Sequence, residues 1–388
     1  MTDAFAIYRR TKTFGSLDAL RAVSILAVIW HHTAGTAFGD SLLGHGFLGV
    51  DMFFALSGFL IVTLLLRERD ATGEIALGRF YVRRSLRIVP VYYGLLLALV
   101  VLLAVVRPGG SWAPEFFAKL PYYLTYTSNW LPDATLLAVT WSLATEEQFY
   151  LVWPPLEKWL GLRARLVLLA GFVGLNQLLN FGVGAEHWPA WLVTARSHLE
   201  ILQITFTPIC LGVMLAYLLH NPRGFAAIQR LLGNPLGQLA ALAVLLGFAA
   251  WPGDIAGGPR LVVQLAMTLL LGSCVVREDH ALSAVCGFGP LRRLGVVSYG
   301  MYLYHLFLLA PSQSLLTRTA EALNVAPSPV ALFVVCSTFT YVAAELSFRY
   351  YEMPFLRLKS RFAGDKSHIP AQRPSSRSSH SLHLEPGT

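Results

Sequence analysis

Ionisable side chains inside long apolar segments constrain this chain more than any other feature. The 388 residues are 55% hydrophobic and 13% charged, so most of the chain is suited to lipid. An ionisable group at bilayer depth costs on the order of 2.5–3.5 kcal/mol even on lenient scales, so it usually faces a polar cavity and has a function there. The groups of this kind are Arg21, His31, His32, Asp51, Glu146, Glu147 and His305.

The apolar segments predict an all-α, polytopic membrane protein with about ten transmembrane helices, each near the ~20 residues needed to cross a bilayer. The predicted spans are 17–37, 46–66, 89–106, 136–159, 164–184, 199–219, 235–251, 261–277, 295–315 and 328–350. They form one membrane domain over 17–356, after a short N-terminal segment (1–16). The tail (357–388) is rich in Ser, Pro, His and Arg, a composition typical of disorder.

The distribution of basic residues predicts the orientation. With a cytoplasmic N-terminus, 24 of the 30 Lys and Arg residues fall in cytoplasmic segments and 5 in outer loops, and Arg21 lies inside the first span. This asymmetry follows the positive-inside rule and places both termini in the cytoplasm. It also accounts for the net charge of +8 without a nucleic-acid partner, because the basic residues are spread over alternate loops instead of one face.

The four cysteines give no sign of a metal centre. Cys210, Cys274, Cys286 and Cys336 show no CxxC spacing and fall mostly within the predicted spans. We therefore expect neither a disulfide framework nor a zinc site, and no bound metal or cofactor.

The first span, LDALRAVSILAVIWHHTAG, carries Arg21 and His32 on nearly the same helix face. Eleven residues at ~100° each return to within about 20° of one direction, and the rise separates the two residues by about 16 Å. Because they cannot touch, the spacing favours a long ligand that contacts both over a proton relay between them. The alternatives are an ion pair of Arg21 with Asp18 and a core position for His32.

The second span, with the motif GVDMFFALSGFLI, places Ser57 and Gly58 near its middle. Small residues at this depth either allow close helix packing or let Ser57 contact a ligand. The sequence leaves both interpretations open.

The motif RRSLR lies in an arginine-rich segment, 67–88, between the second and third spans. The aliphatic and aromatic residues of this segment predict an amphipathic helix on the inner membrane surface. Arg84 and Arg87 share a helix face, and an arginine fork binds phosphate bidentately, so the pair suits a cytosolic ligand with phosphates. The alternative is a role in topology and contact with anionic lipid.

The fourth span contains WSLATEEQFYLVWPP, in which Ser142, Glu146 and Tyr150 fall on one stripe and Glu147 points elsewhere. Two adjacent carboxylates in mid-membrane are hard to explain by packing. We therefore expect at least one of them to have a function.

The ninth span contains SYGMYLYHL, where Ser298, Tyr302 and His305 form a second polar stripe. Near the end of the tenth span, Glu345 and Arg349 are one turn apart, which predicts an ion pair.

In this order the motifs resemble those of the integral-membrane acyltransferase-3 family. The resemblance covers residues 14–356 and rests on the Arg21-to-His32 spacing, GVDMFFALSGFLI, RRSLR, WSLATEEQFY, SYGMYLYHL and YEMPF. It implies a ten-helix enzyme of the bacterial inner membrane. Such an enzyme moves an acyl group, usually acetyl, from cytosolic acyl-CoA to a hydroxyl of a glycan or small molecule. Many members carry a fused extracytoplasmic SGNH domain, and we expect a stand-alone form here.

The resemblance also assigns roles to residues. It implies that Arg21 and His32 are essential, that Arg84 and Arg87 contact acyl-CoA, and that Glu146 and Glu147 are the family's acidic pair. The resulting candidate catalytic residues are His32, Glu146, Glu147 and His305, and the candidate acyl-CoA contacts are Arg21, Arg84, Arg87, Ser57 and Tyr302.

Our mechanistic hypothesis makes His32 the general base toward the acceptor hydroxyl. Glu146 or Glu147 would orient an imidazole, and His305 or Tyr302 would polarise the thioester carbonyl. An acyl-enzyme through Ser57 or Ser142 is left open, although no GxSxG motif supports it.

Two further questions stay open. The acceptor is a cell-surface glycan or a small secondary metabolite such as a macrolide. A proton-coupled transporter is the rival class, since buried carboxylates and histidines also mark proton pathways, but no repeat pairs the two halves. A purely structural scaffold would leave Glu146 and Glu147 unexplained.

Overall fold

A computed structural model describes residues 3–11, 13–39, 41–106, 108, 110–131, 137–198, 206–253, 255–277 and 279–359. Within these ranges the chain is helical and contains no β-strand. The α-helices are α1 (Asp3–Arg10), α2 (Gly15–Thr33), α3 (Leu48–Thr72), α4 (Leu77–Val101), α5 (Ala113–Leu124), α6 (Thr140–Trp159), α7 (Leu162–Phe181), α8 (Ala190–His198), α9 (Thr207–His220), α10 (Pro222–Leu232), α11 (Pro235–Ala249), α12 (Gly257–Val276), α13 (Ser283–Cys286), α14 (Gly289–Val296), α15 (Ser298–Ala322), α16 (Pro329–Leu346) and α17 (Met353–Lys359).

The helices agree in position with the predicted spans. Each predicted span overlaps one of α2, α3, α4, α6, α7, α9, α11, α12, α15 and α16. Among the described residues, five helical segments are long and apolar enough to cross a membrane, and three bent helix pairs meet the same test when each pair is taken as one span. A helical chain with several candidate membrane spans is therefore confirmed. The count of ten and the cytoplasmic termini stay predictions, and the tail beyond residue 359 lies outside the described residues.

The arginine-rich segment 67–88 is not a separate surface helix, so that prediction was wrong. Instead α3 continues through the segment to a left-handed turn at Gly73, after which α4 begins. Glu68, near the end of α3, pairs with Arg79 and Arg83 of α4 at 3.6 and 3.4 Å. The same mixture of basic and apolar residues therefore belongs to two long helix ends, which neutralise part of each other's charge.

Close backbone packing joins α3 to α9. A Cβ on Gly58 would lie 2.0 Å from the carbonyl oxygen of Ile209, and a Cβ on Gly212 would lie 2.2 Å from that of Ala55. Neither position has room for a side chain, so Gly58 serves helix packing. Ser57 faces another direction and lines the cavity described below, so close packing is confirmed for Gly58, and ligand contact by Ser57 stays a prediction.

Ion pairs between helices account for two of the charged groups found in the sequence. Asp51 of α3 accepts a bidentate contact from Arg260 of α12, at 3.0 and 3.1 Å. The predicted pair of Glu345 with Arg349 is confirmed, and Arg293 also donates to Glu345 through two hydrogen bonds of 2.8 Å. These groups stabilise the helix bundle and lie apart from the candidate site.

Candidate active site

A cavity of about 440 Å³ lies between α2, α3, α4, α6 and α15. One end, which we call the basic end, lies where α2 begins and α3 ends; the other, the inner end, lies toward the middle of the bundle. The basic end is lined by Asp18, Arg21, Arg67, Arg83 and Arg87, and the inner end by Phe53, Ser57, Ser142, Glu146 and Tyr302. Aliphatic and aromatic side chains line much of the wall between the two ends. The shape suits a ligand with an anionic head and a long, less polar arm.

The arginines at the basic end differ in what they contact. Arg21 donates to Asp18 at 2.8 Å, as one of the structural alternatives proposed. Arg67 donates to the carbonyl oxygens of Tyr8 and Thr11 at 2.7 and 2.6 Å. Within the described part of the chain, the guanidinium of Arg87 lines the cavity and makes no hydrogen bond or direct ion pair, although Asp18 and Glu352 are near enough to interact with its charge. Arg87 is therefore the cation best placed to receive an anionic ligand.

Arg84 instead lies between the two carboxylates of α6. Its side-chain nitrogens are 3.9 Å from both Glu146 and Glu147. Its guanidinium also stacks on the ring of Tyr150, 3.6 Å from the centroid, which is a favourable cation–π contact. Arg84 thus has protein partners for its charge, whereas Arg87, one turn later on the same helix face, has none of these contacts.

The two carboxylates are not equivalent. Glu146 lines the cavity and accepts a hydrogen bond of 2.7 Å from the hydroxyl of Ser57. Glu147 does not line it, and its Oε1 is buried with no hydrogen-bond partner. Both carboxylates approach Arg84, but only that of Glu146 reaches the cavity.

Tyr302 of α15 closes the inner end. Its hydroxyl lies 2.6 Å from the hydroxyl of Ser142 and donates to the carbonyl oxygen of Val139 at 3.2 Å. The ring of Tyr302 contacts Phe53 on one side and His305 on the other, with centroids 6.2 and 5.8 Å apart. Tyr302 therefore connects the cavity to the histidines beyond it.

Two histidines from different helices meet beyond Tyr302. The rings of His32 and His305 are 5.0 Å apart between centroids. The Nδ1 of His32 bonds to the carbonyl oxygen of Val28 at 2.9 Å, and the Nδ1 of His305 bonds to that of Tyr302 at 2.8 Å. A carbonyl oxygen only accepts, so each Nδ1 carries the hydrogen and each Nε2 has a free lone pair in the neutral ring. Both imidazoles are thus arranged as proton acceptors.

His32 and His305 differ in how exposed their rings are. His305 is 1% exposed and its Nε2 has no partner, whereas His32 is only partly buried. His32 is therefore the ring that a substrate can reach, with His305 behind it.

The imidazoles are oriented differently from our hypothesis. Among the described residues, no carboxylate bonds to His32 or His305, and backbone carbonyls hold both rings. The hydroxyl of Ser57 bonds to Glu146 and that of Ser142 to Tyr302, so neither serine contacts an imidazole. Orientation of a histidine by Glu146 or Glu147 is not what the structure shows.

A second cluster brings two of the cysteines together with a histidine, and the expectation of no metal site stays a prediction. Cys274, His280 and Cys286 offer ligand atoms that all lie within 4.8 Å of one another. Sequence reasoning missed them because their even spacing of six residues differs from the short CxxC pattern of many zinc sites. The only available signal was that repeated spacing.

Comparison with known proteins gives a family and several relatives. A family model described as an acyltransferase domain matches residues 14–344. The chain is 27% identical to peptidoglycan O-acetyltransferase OatA of Listeria monocytogenes, over 87% of this chain and 55% of that protein. A Staphylococcus aureus protein named provisionally as an O-acetyltransferase is 27% identical, over 91% of this chain and 59% of its own.

A third relative is YrhL of Bacillus subtilis, named provisionally as a peptidoglycan O-acetyltransferase. It is 28% identical, over 87% of this chain and 54% of its own length. The chain therefore spans a little over half the length of these curated relatives. No solved structure matches it.

Proposed function

The chain belongs to the family of acyltransferase domains, and on that premise we propose that it is a membrane-embedded O-acyltransferase. It moves an acetyl group from cytosolic acetyl-CoA to a hydroxyl of a cell-surface glycan. The names of two relatives, peptidoglycan O-acetyltransferases, support this acceptor class. Family membership leaves the transporter and scaffold hypotheses without support.

The observation that carries the proposal is a cavity with an unpaired arginine at one end and a pair of imidazoles just beyond the other end. The cavity runs from Arg87 to Tyr302, and the rings of His305 and His32 follow in contact beyond Tyr302. Along α2, Arg21 and His32 are separated by a helical rise of about 16 Å. A donor with phosphates at one end and a thioester at the end of a long arm fits these dimensions.

Binding of the donor follows from the charges at the basic end. Phosphate oxygens bind the guanidinium of Arg87, with Arg21 close enough to share them, because an arginine fork matches phosphate geometry. The pantetheine arm follows the largely apolar wall. Arg84 keeps its contacts with Glu146 and Glu147, so its part is to hold the α4 and α6 faces of the cavity together.

The chemistry is a single transfer with His32 as general base. The Nε2 of His32 takes the proton of the acceptor hydroxyl while its oxygen attacks the thioester carbonyl. The new C–O ester bond forms, the C–S bond breaks, and the proton passes from His32 to the CoA thiolate. The Nδ1 hydrogen bond to Val28 holds the ring in the tautomer that this step requires.

A direct transfer accounts for the serines better than an acyl-enzyme does. A serine nucleophile needs an adjacent base, and neither Ser57 nor Ser142 bonds to a histidine. Ser57 therefore serves to hold Glu146 in the cavity wall.

The test uses detergent-purified protein with acetyl-CoA and isolated cell-wall glycan. We expect release of CoA thiol and gain of alkali-labile acetate on the glycan by the wild type. His32→Ala should lower the rate about 10²- to 10⁴-fold at an unchanged melting temperature, the usual contribution of a general base. His31→Ala is the matched control, because that ring bonds to the backbone of Gly44 and should leave most of the activity.

Two results would contradict the proposal. One is near-normal transfer by folded His32→Ala. The other is a wild type that neither turns over acetyl-CoA nor gains thermal stability from it. CoA release without acetate on any glycan fraction would move the acceptor to a small molecule.

A further inference from the structure

A buried cluster of two thiols and one imidazole lies away from the candidate active site. Cys274 belongs to the last turn of α12, Cys286 ends α13, and His280 lies between them. All three are buried, with exposures of 4%, 6% and 6% for Cys274, Cys286 and His280. The mechanism proposed above uses none of them.

The groups around the cluster satisfy the imidazole from two sides. The Nε2 of His280 lies 2.8 Å from the hydroxyl of Ser16, at the start of α2. Its Nδ1 lies 3.3 Å from the side-chain nitrogen of Gln238, on α11. Whichever ring nitrogen binds a ligand, the other keeps a protein partner, as is usual for metal-bound histidine.

Gln238 supplies a second observation, because it places a buried amide beside the cluster. Its side chain is 1% exposed, and its Oε1 is buried with no hydrogen-bond partner. Its Nε2 faces the cluster, 3.6 Å from the Sγ of Cys274 and 3.3 Å from the Nδ1 of His280. The same nitrogen donates to the hydroxyl of Ser273 at 3.0 Å, which holds the amide beside the cluster.

We propose that Cys274, His280 and Cys286 bind a zinc ion, with Gln238 beside the fourth position. Two thiolates and an imidazole are a ligand set that zinc prefers. Tetrahedral zinc holds such atoms roughly 3.5–3.8 Å apart, so the present 4.8 Å limit requires only a small contraction. A second cavity of about 600 Å³, lined by Cys274 and Cys286, provides a path for the ion.

The ion would act as a structural clasp. It joins the end of α12 to the segment 279–287, and through Ser16 to the first turn of α2. Helix α2 carries Arg21 and His32, so the clasp stabilises the end of the helix on which the donor path begins. Loss of the zinc ion should lower the stability of the protein. The proposed transfer activity should fall only as far as less of the protein stays folded.

The experiment measures zinc in protein purified in detergent through a histidine-free affinity tag. We expect about one zinc ion per chain in the wild type, and below about 0.2 in Cys274→Ser and Cys286→Ser. Cys210→Ser and Cys336→Ser are matched controls, because both cysteines are buried elsewhere in the bundle and should keep the ion. Gln238→Ala should weaken zinc binding about 10- to 100-fold.

A second measurement keeps the proposal testable if the cysteine variants do not fold. Metal-free wild type, titrated with Co²⁺, should develop thiolate-to-cobalt absorption that saturates at about one ion per chain. It should also melt at a higher temperature with Zn²⁺. A wild type without zinc that ignores added Zn²⁺ and Co²⁺ would overturn the proposal. So would equal loss of zinc in the Cys210 control, or a Cys274–Cys286 disulfide found by mass spectrometry.

Discussion

Helix α6 carries two groups in which glutamates face arginines, and the two groups differ in how closely the carboxylates and guanidiniums approach. In its first half, Glu146 and Glu147 each stay 3.9 Å from Arg84, and Glu146 faces a cavity. In its last turn, Glu157 is fully buried and contacts Arg165 directly and Arg69 at 3.2 Å.

The carboxylate of the second group is closed, because protein groups contact both of its oxygens. Tyr217 donates its hydroxyl to the other carboxylate oxygen of Glu157, and its ring lies 5.2 Å from the guanidinium carbon of Arg165. The negative charge of Glu157 is therefore not available to a ligand. Glu157 therefore holds α6 against α7 and α9.

The difference shows that a buried charge by itself does not indicate function. A fully paired buried carboxylate is explained by helix packing, whereas a carboxylate kept at a distance from its cation and open to a cavity is not. Glu157 has the greater burial, yet Glu146 has the arrangement of a functional group.

The largest effect should come from breaking the closed group. Glu157→Gln leaves buried Arg165 without its counter-charge, which should cost about 3–5 kcal/mol of stability and clearly lower the melting temperature. The transfer rate per folded molecule should stay close to the wild type. Adding Arg165→Met should restore part of the stability, because the buried cation is then gone. A Glu157→Gln protein with normal stability and lost activity would show that Glu157 has a functional role and not a structural one.

A smaller effect, on rate instead of stability, should come from the open group. Glu146→Gln removes the negative charge that accepts the Ser57 hydrogen bond and faces Arg84. The variant should slow CoA release about tenfold or more, because hydrogen bonds to charged groups contribute roughly 1.5–3 kcal/mol. The melting temperature should change little. Glu147→Gln is the matched control and should slow the reaction less. If Glu147→Gln were the more damaging, the assignment of Glu146 to the cavity would be wrong.

The smallest effect should come from the unpaired cation at the basic end. Arg87→Ala should raise the KM for acetyl-CoA about 3- to 10-fold with little change in kcat, because it removes one exposed phosphate contact. Arg79→Ala serves as the comparison, since Arg79 pairs with Glu68 and does not line the cavity. Equal KM values in the two variants would exclude Arg87 as a phosphate ligand.

Helix periodicity explains why much of the site was predictable. Ser142 and Glu146 share a stripe in the sequence, and both line the cavity. Tyr302 and His305 share another stripe, and both lie at its inner end or just beyond it. Residues one turn apart face the same way whatever the tertiary structure is, so such patterns can be read from one helix alone.

Helix periodicity could not predict the contacts between helices. The amphipathic pattern of 67–88 fits a surface helix as well as two paired helix ends, and only Glu68, pairing across the turn, distinguishes them. The sequence also could not predict that backbone carbonyls bond to His32 and His305. An imidazole can bond to a carbonyl oxygen one turn away or to a carboxylate on another helix, and the sequence does not distinguish the two.

The sequence by itself determined the membrane-helical class, the places of the main helices, the polar stripes and the family resemblance. These follow from hydropathy and the helical period, which are local properties. Only the tertiary structure decided that Glu146 and not Glu147 faces the cavity, that Arg84 is engaged while Arg87 is unpaired, and that three ligand-type residues meet near α12. Each depends on how helices rotate and pack against partners distant in the chain, and no local pattern specifies that rotation.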